Sequence, residues 1–334
     1  MNYDSLEREL NSELKSIYLI YGEEQYLVQM ALKKIKKKFG DLVLGINYIV
    51  LDESNIDTLI SNIEMPAFGY DKKLIVIKNS GLFKKDGRKK NATPIQEKIG
   101  KYISDNLDII NEGTILVFIE ETADKNSVYD IIERTGIVCR IDYLKLPQLV
   151  QKLKKICYLY KVNSSDVVLN YLVETSGTSL GDLINEIRKL IEYAGEGGTI
   201  TEKDVDLLST KQIESVIFEL TDNLGAKQTE KALTVLDNLI YQKEPVQKIL
   251  ITLYNHFKRL YLCQKAIEYN KDIVNALNLK PNQVFLVSKY KRQVSMFKTD
   301  LKEILNELVN LDYNSKIGNI DLEIGLKSII CRYC

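Results

Sequence analysis

Few residues in this sequence have the types and spacing that chemistry requires. One histidine, His256, occurs in 334 residues. Any zinc site or Ser-His-Asp triad would have to be built around it. It lies in Tyr254-Asn255-His256-Phe257-Lys258, amid helical patterning and away from any nucleophile elbow, so it reads as a structural helix residue. The five cysteines, Cys139, Cys157, Cys263, Cys331 and Cys334, are odd in number and show no disulfide framework, which suits a reducing compartment. Cys331 and Cys334 have C-x-x-C spacing. A redox motif of that kind opens a helix after a strand, and a zinc site needs a second ligand pair, so these last residues read as a frayed terminus.

Nucleotide chemistry is the next possibility. A phosphate cradle after a first strand needs glycines for close backbone approach, a lysine for the β and γ phosphates and a hydroxyl for Mg²⁺. The stretch in that place is Tyr21-Gly22-Glu23-Glu24-Gln25-Tyr26-Leu27. It keeps one glycine, has no Gly-Lys-Ser/Thr, and sets Glu23 and Glu24 where they would repel a triphosphate. Glu120-Glu121 ends a later apolar run, in the place of a Mg²⁺-binding carboxylate pair. Without a cradle there is little for a metal to bridge, so the pair reads as solvated carboxylates. No catalytic, cofactor or metal residues are assigned.

The elements around these residues fall into two regimes. Short, nearly continuous apolar runs at Ile17–Tyr21, Tyr48–Leu51, Leu74–Lys78, Thr114–Ile119 and Ile137–Ile141 read as buried strands. Helical patterns lie between them at Gln25–Lys38, Ile56–Ile63, Ile95–Asn106 and Ser127–Thr135. This alternation predicts a parallel five-stranded sheet with helices on both faces. After Pro147 the strand signals stop and helical periodicity runs on, from Gln148–Tyr160 to Leu301–Asp312. Capping boxes are predicted for Ser179 with Asp182, Thr201 with Asp204 and Asp300 with Glu303. The predicted domains are an α/β domain over 1–143 and two all-α domains over 144–210 and 211–334.

Lys+Arg and Asp+Glu are both 46, so the net charge is zero and a histone-like electrostatic binder is excluded. No signal peptide opens the chain, and its apolar runs are too short to span a bilayer, so a cytoplasmic location without membrane contact is expected.

Several stretches together are similar to the bacterial DNA polymerase III delta subunit family. They are Tyr18-Leu19-Ile20-Tyr21-Gly22-Glu23-Glu24-Gln25-Tyr26-Leu27, Pro66-Ala67-Phe68-Gly69 and Thr122-Ala123-Asp124-Lys125. Further on come Asn185-Glu186-Ile187-Arg188-Lys189-Leu190 with Ile200-Thr201-Glu202-Lys203-Asp204-Val205, and then Leu311-Asp312-Tyr313-Asn314-Ser315-Lys316-Ile317-Gly318. Their order covers nearly the whole chain. The resemblance implies a clamp-loader subunit of DNA polymerase III holoenzyme with an AAA+ fold, comprising a degenerate nucleotide domain, a lid and a helical collar. It implies no ATP binding or hydrolysis. The partners it implies are the sliding clamp (beta subunit), the gamma/tau and delta-prime subunits through the collar, and primed DNA in the assembled complex. Thr178-Ser179-Leu180-Gly181-Asp182 has no sensor arginine, in agreement.

The stretch Met65-Pro66-Ala67-Phe68-Gly69-Tyr70 is a helix-to-strand connection. On residue types alone Phe68 would fold back onto the sheet. The resemblance instead makes Met65, Pro66, Ala67 and Phe68 the clamp-binding wedge. The family usually has two adjacent large apolar residues there; Ala67 is smaller, and Met65 would supply the missing volume.

Candidates for DNA contact are Tyr313 stacking on a base, Lys316 meeting a phosphate, and Lys84, Lys85 and Arg88 in a basic loop. Each has a plainer reading, a packed or capping tyrosine and a solvated loop. The segment 312–318 is expected to break or bend a helix, and Lys33–Lys38 to be a solvated helix face. The apolar face of Val246–Tyr269 would be core, with any surplus binding neighbouring subunits. Two other readings stand beside the clamp-loader one: a diverged P-loop or AAA+ NTPase, and a helical adaptor unrelated to replication.

Overall fold

The computed structural model describes residues 1–84, 93–297 and 301–333. The chain divides into two compact units, Met1–Tyr143 and Leu144–Cys334.

The first unit is built on a parallel sheet of β1 (Ile17–Tyr21), β2 (Tyr48–Leu51), β3 (Lys73–Lys78), β4 (Thr114–Glu120) and β5 (Ile137–Arg140). The spatial order is β2-β3-β4-β1-β5, in the parallel five-stranded α/β arrangement expected. The central strands are apolar on both faces because helices cover both, and every residue of β4 is buried. Register runs from Tyr48 opposite Leu74, through Leu74 opposite Ile115, to Ile17 opposite Leu116. The helices Gln25–Phe39, Leu59–Glu64, Pro94–Asp105 and Ser127–Thr135 lie where periodicity placed them. Helices Tyr3–Glu9 and Leu107–Gly113 were not anticipated. The lysines of the helix Gln25–Phe39 are not simply solvated: Lys34 pairs with Glu7, Lys36 bonds the Tyr48 hydroxyl, and Lys38 donates to the Leu10 carbonyl at 2.9 Å.

The second unit is helical apart from β6 (Asn163–Ser164) and β7 (Thr199–Ile200), a short parallel pair in a region where strand signals are absent. Thr201 forms the predicted capping box with Asp204, whereas Ser179 caps nothing through its side chain. Asp300 lies outside the described residues. One cluster running from Ile213 to Ile330 forms the core of residues 213–330. Ile249, Leu250, Leu253, Phe257, Leu260 and Cys263 of the helix Val246–Glu268 are all buried in it, with Tyr261 against it, so the predicted apolar face is core. The apolar side chains left outside on that helix are Ile251, Leu262 and Ile267. The terminal residues do not fray through Tyr333: a helix spans Leu322–Tyr333 and carries Cys331 on its exposed side.

His256 is the structural residue expected. It is buried in the helix Val246–Glu268, with Nε2 2.8 Å from Gln293 Oε1 and its ring edge-on to Phe218. Burial pulls its pKa down to about 4, aided by Arg259 and opposed by the Gln293 bond and Asp222. The unfolded chain therefore takes up a proton between about pH 6.5 and 4 that the folded chain refuses. Stability present above pH 6.5 is expected to fall across that window by an amount on the order of 3 kcal/mol. Urea unfolding of the wild type and of His256→Gln at pH 7 and pH 4.5 checks this. The variant should lose less stability than the wild type, and equal losses would contradict it.

Candidate functional site

The helix Leu59–Glu64 ends because Pro66 follows. Met65 takes extended backbone (φ −63, ψ 133), as a residue before proline must, while its N–H still donates to the Ser61 carbonyl at 3.0 Å. The Tyr70 N–H donates to the Ala67 carbonyl at 3.2 Å and closes a turn. Both central residues of that turn have positive φ, Phe68 at 39° and Gly69 at 92°. Glycine takes such a backbone freely, but for phenylalanine it costs on the order of 1 kcal/mol. The turn leaves Phe68 66% exposed, with Met65 and Tyr70 also outward and Ala67 half-buried. Phe68 therefore does not fold back onto the sheet.

The loop is fixed at its base. Lys73 is buried at the start of β3 and reaches back to the Met65 carbonyl, while Lys72 Nζ donates to the Asn111 carbonyl at 3.1 Å. Burial lowers the Lys73 pKa. Reading the sequence missed this anchor; the only signal was a lysine opening an otherwise apolar strand.

At the carboxyl end of β1, where a cradle would begin, several amides are bonded within the protein. The Gly22 N–H donates to the Glu120 carbonyl at 3.3 Å, that of Glu24 to Ile141 at 3.1 Å and that of Gln25 to Glu23 at 3.0 Å. The amides of Leu27 and Val28, in the first turn of the helix Gln25–Phe39, donate to the Glu24 carbonyl. A phosphate cradle consists of free amides aimed at one point, and these five are committed elsewhere. Glu23 is exposed and Glu24 buried.

Glu120 corrects the solvated-carboxylate expectation. It is 5% exposed and accepts both the N–H (2.8 Å) and the hydroxyl (2.5 Å) of Ser80. Burial raises its pKa against the pull of those bonds. Its role is to hold the turn after β3, in which Asn79 and Gly81 both have positive φ. Glu121 is exposed. Among the described residues no cluster of His, Cys, Asp and Glu has metal-binding geometry, and no helix is long and apolar enough to cross a membrane.

Of the other candidates, Tyr313 and Lys316 belong to the second unit, and Lys84 to the first, with the Met65–Phe68 loop. Tyr313 is exposed on the helix Leu301–Lys316, which continues past Asp312 and ends at Lys316, within the segment expected to break or bend a helix. Lys316 pairs with Asp312 at 2.7 Å, and Asp312 also accepts Gln247 Nε2 at 2.7 Å. Lys84 pairs with Glu53 at 3.1 Å. Lys85 and Arg88 lie outside the described residues.

Comparison with known proteins bears on what this frame serves. Residues 18–141 match the family model described as DNA polymerase III, delta subunit, and residues 214–333 match that of the DNA polymerase III delta subunit, C-terminal domain. Over 316 residues the chain is 32% identical to a probable DNA polymerase III subunit delta of Aquifex aeolicus (strain VF5), covering 90% of this chain and 86% of that one. The chain belongs to the DNA polymerase III delta subunit family. It is 21% identical over 329 residues to a DNA polymerase III subunit delta of Bacillus subtilis (strain 168), covering 96% of this chain and 93% of that one. Its fold is similar to that of the Bacillus subtilis DNA clamp loader delta protein, with a TM-score of 0.77, 99% of each chain covered and 21% identity. Family membership favours the delta-subunit reading over the unrelated helical adaptor.

Proposed function

We propose that this chain binds the sliding clamp through Met65, Pro66, Ala67 and Phe68 and helps open it for loading onto primed DNA, without binding or hydrolysing ATP itself. The observation that carries this reading is the outward Phe68 on a turn fixed at both ends. A rigid apolar prong inserts into a partner pocket at little entropic cost.

Opening follows from differential affinity. A ring that fluctuates between closed and opened states shifts toward whichever state the prong fits better. Burying Phe68 and Met65 is worth roughly 3–6 kcal/mol together. Reversing a 1:99 equilibrium takes about 5.5 kcal/mol of differential binding. Two side chains thus bias the ring substantially when the opened state alone accepts them, and they need no nucleotide to do so. The committed amides at Gly22, Glu24 and Gln25 support the absence of an ATP site. Capture of the purified chain by immobilised clamp, equally with and without ATP, tests the reading; no capture under either condition overturns it.

In this reading 144–210 serves as lid and 211–334 as collar. Ile251, Ile267, Val309 and Ile324, left outside the core, supply apolar surface for gamma/tau and delta-prime. Tyr313, exposed on its helix, would stack on a base of primed DNA. Lys316 would reach a phosphate by leaving Asp312, an exposed pair that costs little to break. Lys84, with Lys85 and Arg88, is a weaker DNA candidate, since Lys84 is already paired. Tyr313→Ala is expected to lower the affinity of the assembled loader for primed DNA about five- to tenfold, the lower end of what one base stack contributes. Fluorescence anisotropy measures it, and unchanged binding removes Tyr313 from the DNA contact.

A further inference from the structure

The sheet order places β3 between β2 and β4, all parallel. The segments that enter these three strands therefore share one edge of the sheet, with the Phe68 loop in the middle. On the β2 side, residues 41–47 form a loop organised by buried Asn47. Its Oδ1 accepts the Val43 N–H at 2.7 Å, its Nδ2 donates to the Asp41 carbonyl at 2.8 Å, and its own carbonyl accepts the Leu74 N–H of β3 at 2.7 Å. The tip of this ordered loop is Leu44, 73% exposed. On the β4 side, the helix Leu107–Gly113 leads into Thr114, which lies opposite Lys73. Its Asn111 carbonyl takes the Lys72 bond, and its Ile109 is 51% exposed. Three fixed segments thus each present a large apolar side chain along the same edge.

Area supplies the reason to join them. An aromatic side chain buries about 150–250 Å², whereas a stable specific interface needs roughly 800 Å² from each partner. The Phe68 loop alone falls well short of that. We propose that Leu44 and Ile109 are clamp contacts flanking Phe68, so that the ring seats on the whole entry edge of β2, β3 and β4. This rests on the wedge reading above and extends it to two residues on other segments. A central aromatic surrounded by apolar side chains that exclude water is the usual arrangement of a binding hot spot.

The test is surface plasmon resonance of the full chain against immobilised clamp, comparing wild type with Leu44→Ser, Ile109→Ser and Phe68→Ala, with thermal unfolding of each recorded. Both flank variants are expected to bind about five- to tenfold more weakly at an unchanged unfolding midpoint. Should serine weaken the short helix at 109, Ile109→Gln keeps the chain length without the apolar end and is expected to bind equally weakly. Wild-type affinity in both flank variants, with binding lost in Phe68→Ala, overturns the flank contacts and leaves the wedge standing. A wild type that binds no clamp overturns both. Self-association of the wild type that Leu44→Ser abolishes, at unchanged clamp affinity, assigns this edge to a second copy instead and overturns the proposal.

Discussion

Alanine at position 68 is expected to weaken binding to the clamp by about one to two orders of magnitude and to leave the melting temperature where it was. The first half follows from removing an aromatic side chain worth ~1.5–3 kcal/mol when buried, at 1.4 kcal/mol for each factor of ten. The second half follows from Phe68 being two-thirds exposed in the free chain, so the fold has little to lose. A phenylalanine serving the core would instead cost about 3–5 kcal/mol on truncation. Glycine sharpens the contrast. At φ 39° it relieves the backbone cost that phenylalanine carries, so Phe68→Gly should melt no lower than wild type and still fail to bind. Calorimetry and clamp titration on the three proteins decide the matter. Normal affinity in Phe68→Ala removes the residue from the contact, and a melting point lowered by several degrees makes it a structural residue.

What the sequence made legible was set by local signals. The five strands of the sheet showed as continuous apolar runs because both faces of each central strand are covered, and periodicity alone found most helices. Two of the helices that escaped show why. Leu107–Gly113 has seven residues and buries only Ile110, while Leu286–Phe297 mixes Lys289, Lys291, Arg292 and two serines with its apolar residues and buries the polar Gln293 beside Tyr290 and Phe297. The β6–β7 pair is too short for any period to register. At the candidate site the location of the Met65–Phe68 loop was legible from Pro66 and Gly69. The direction of Phe68 was not, because residue types alone pointed it inward and the family resemblance pointed it outward. Its anchor is a lysine reaching back to Met65 from the next strand, and the burial of Glu120 depends on Ser80, distant in sequence. Contacts of that kind leave no local pattern.

The Phe68 loop and the Gly22 turn sit on opposite edges of the same sheet. The Phe68 loop enters β3, whereas Gly22 and Glu120 lie at the ends where β1 and β4 exit. In a parallel α/β sheet, ligands ordinarily bind beyond the carboxyl ends of the strands. Here the amides of Gly22, Glu24 and Gln25 at that edge are bonded within the protein, and exposed Leu44, Phe68 and Ile109 belong to segments that enter the strands. On the proposed function, the chain would act from the entry edge through protein contact.

Gly22→Ala is the prediction with the largest expected effect on stability. Gly22 is the one glycine left where a phosphate cradle would begin, and the retained residue suggests a remnant of nucleotide binding. The packing gives another reason for it. Gly22 has φ 138°, and a Cβ there would lie 2.2 Å from the Ile141 carbonyl oxygen, deep inside contact distance. Ile141 cannot simply step aside, since its N–H donates to Tyr21 at 2.7 Å and its carbonyl accepts from Glu24. Overpacking costs about 1–3 kcal/mol, and a side chain at this φ adds about 1 kcal/mol or more. A loss of about 3 kcal/mol or more is therefore expected, which for a unit of this size lowers its melting temperature by roughly 10 °C. Gly69→Ala serves as the control: its φ is also positive, at 92°, but nothing lies within 4 Å of the added carbon, so about 1 kcal/mol is expected. The difference between the two variants, read from urea unfolding, isolates the clash with Ile141. Equal and small losses would mean that the turn has slack. A turn with slack could open its amides to a phosphate, and the case against an ATP site would lose its footing.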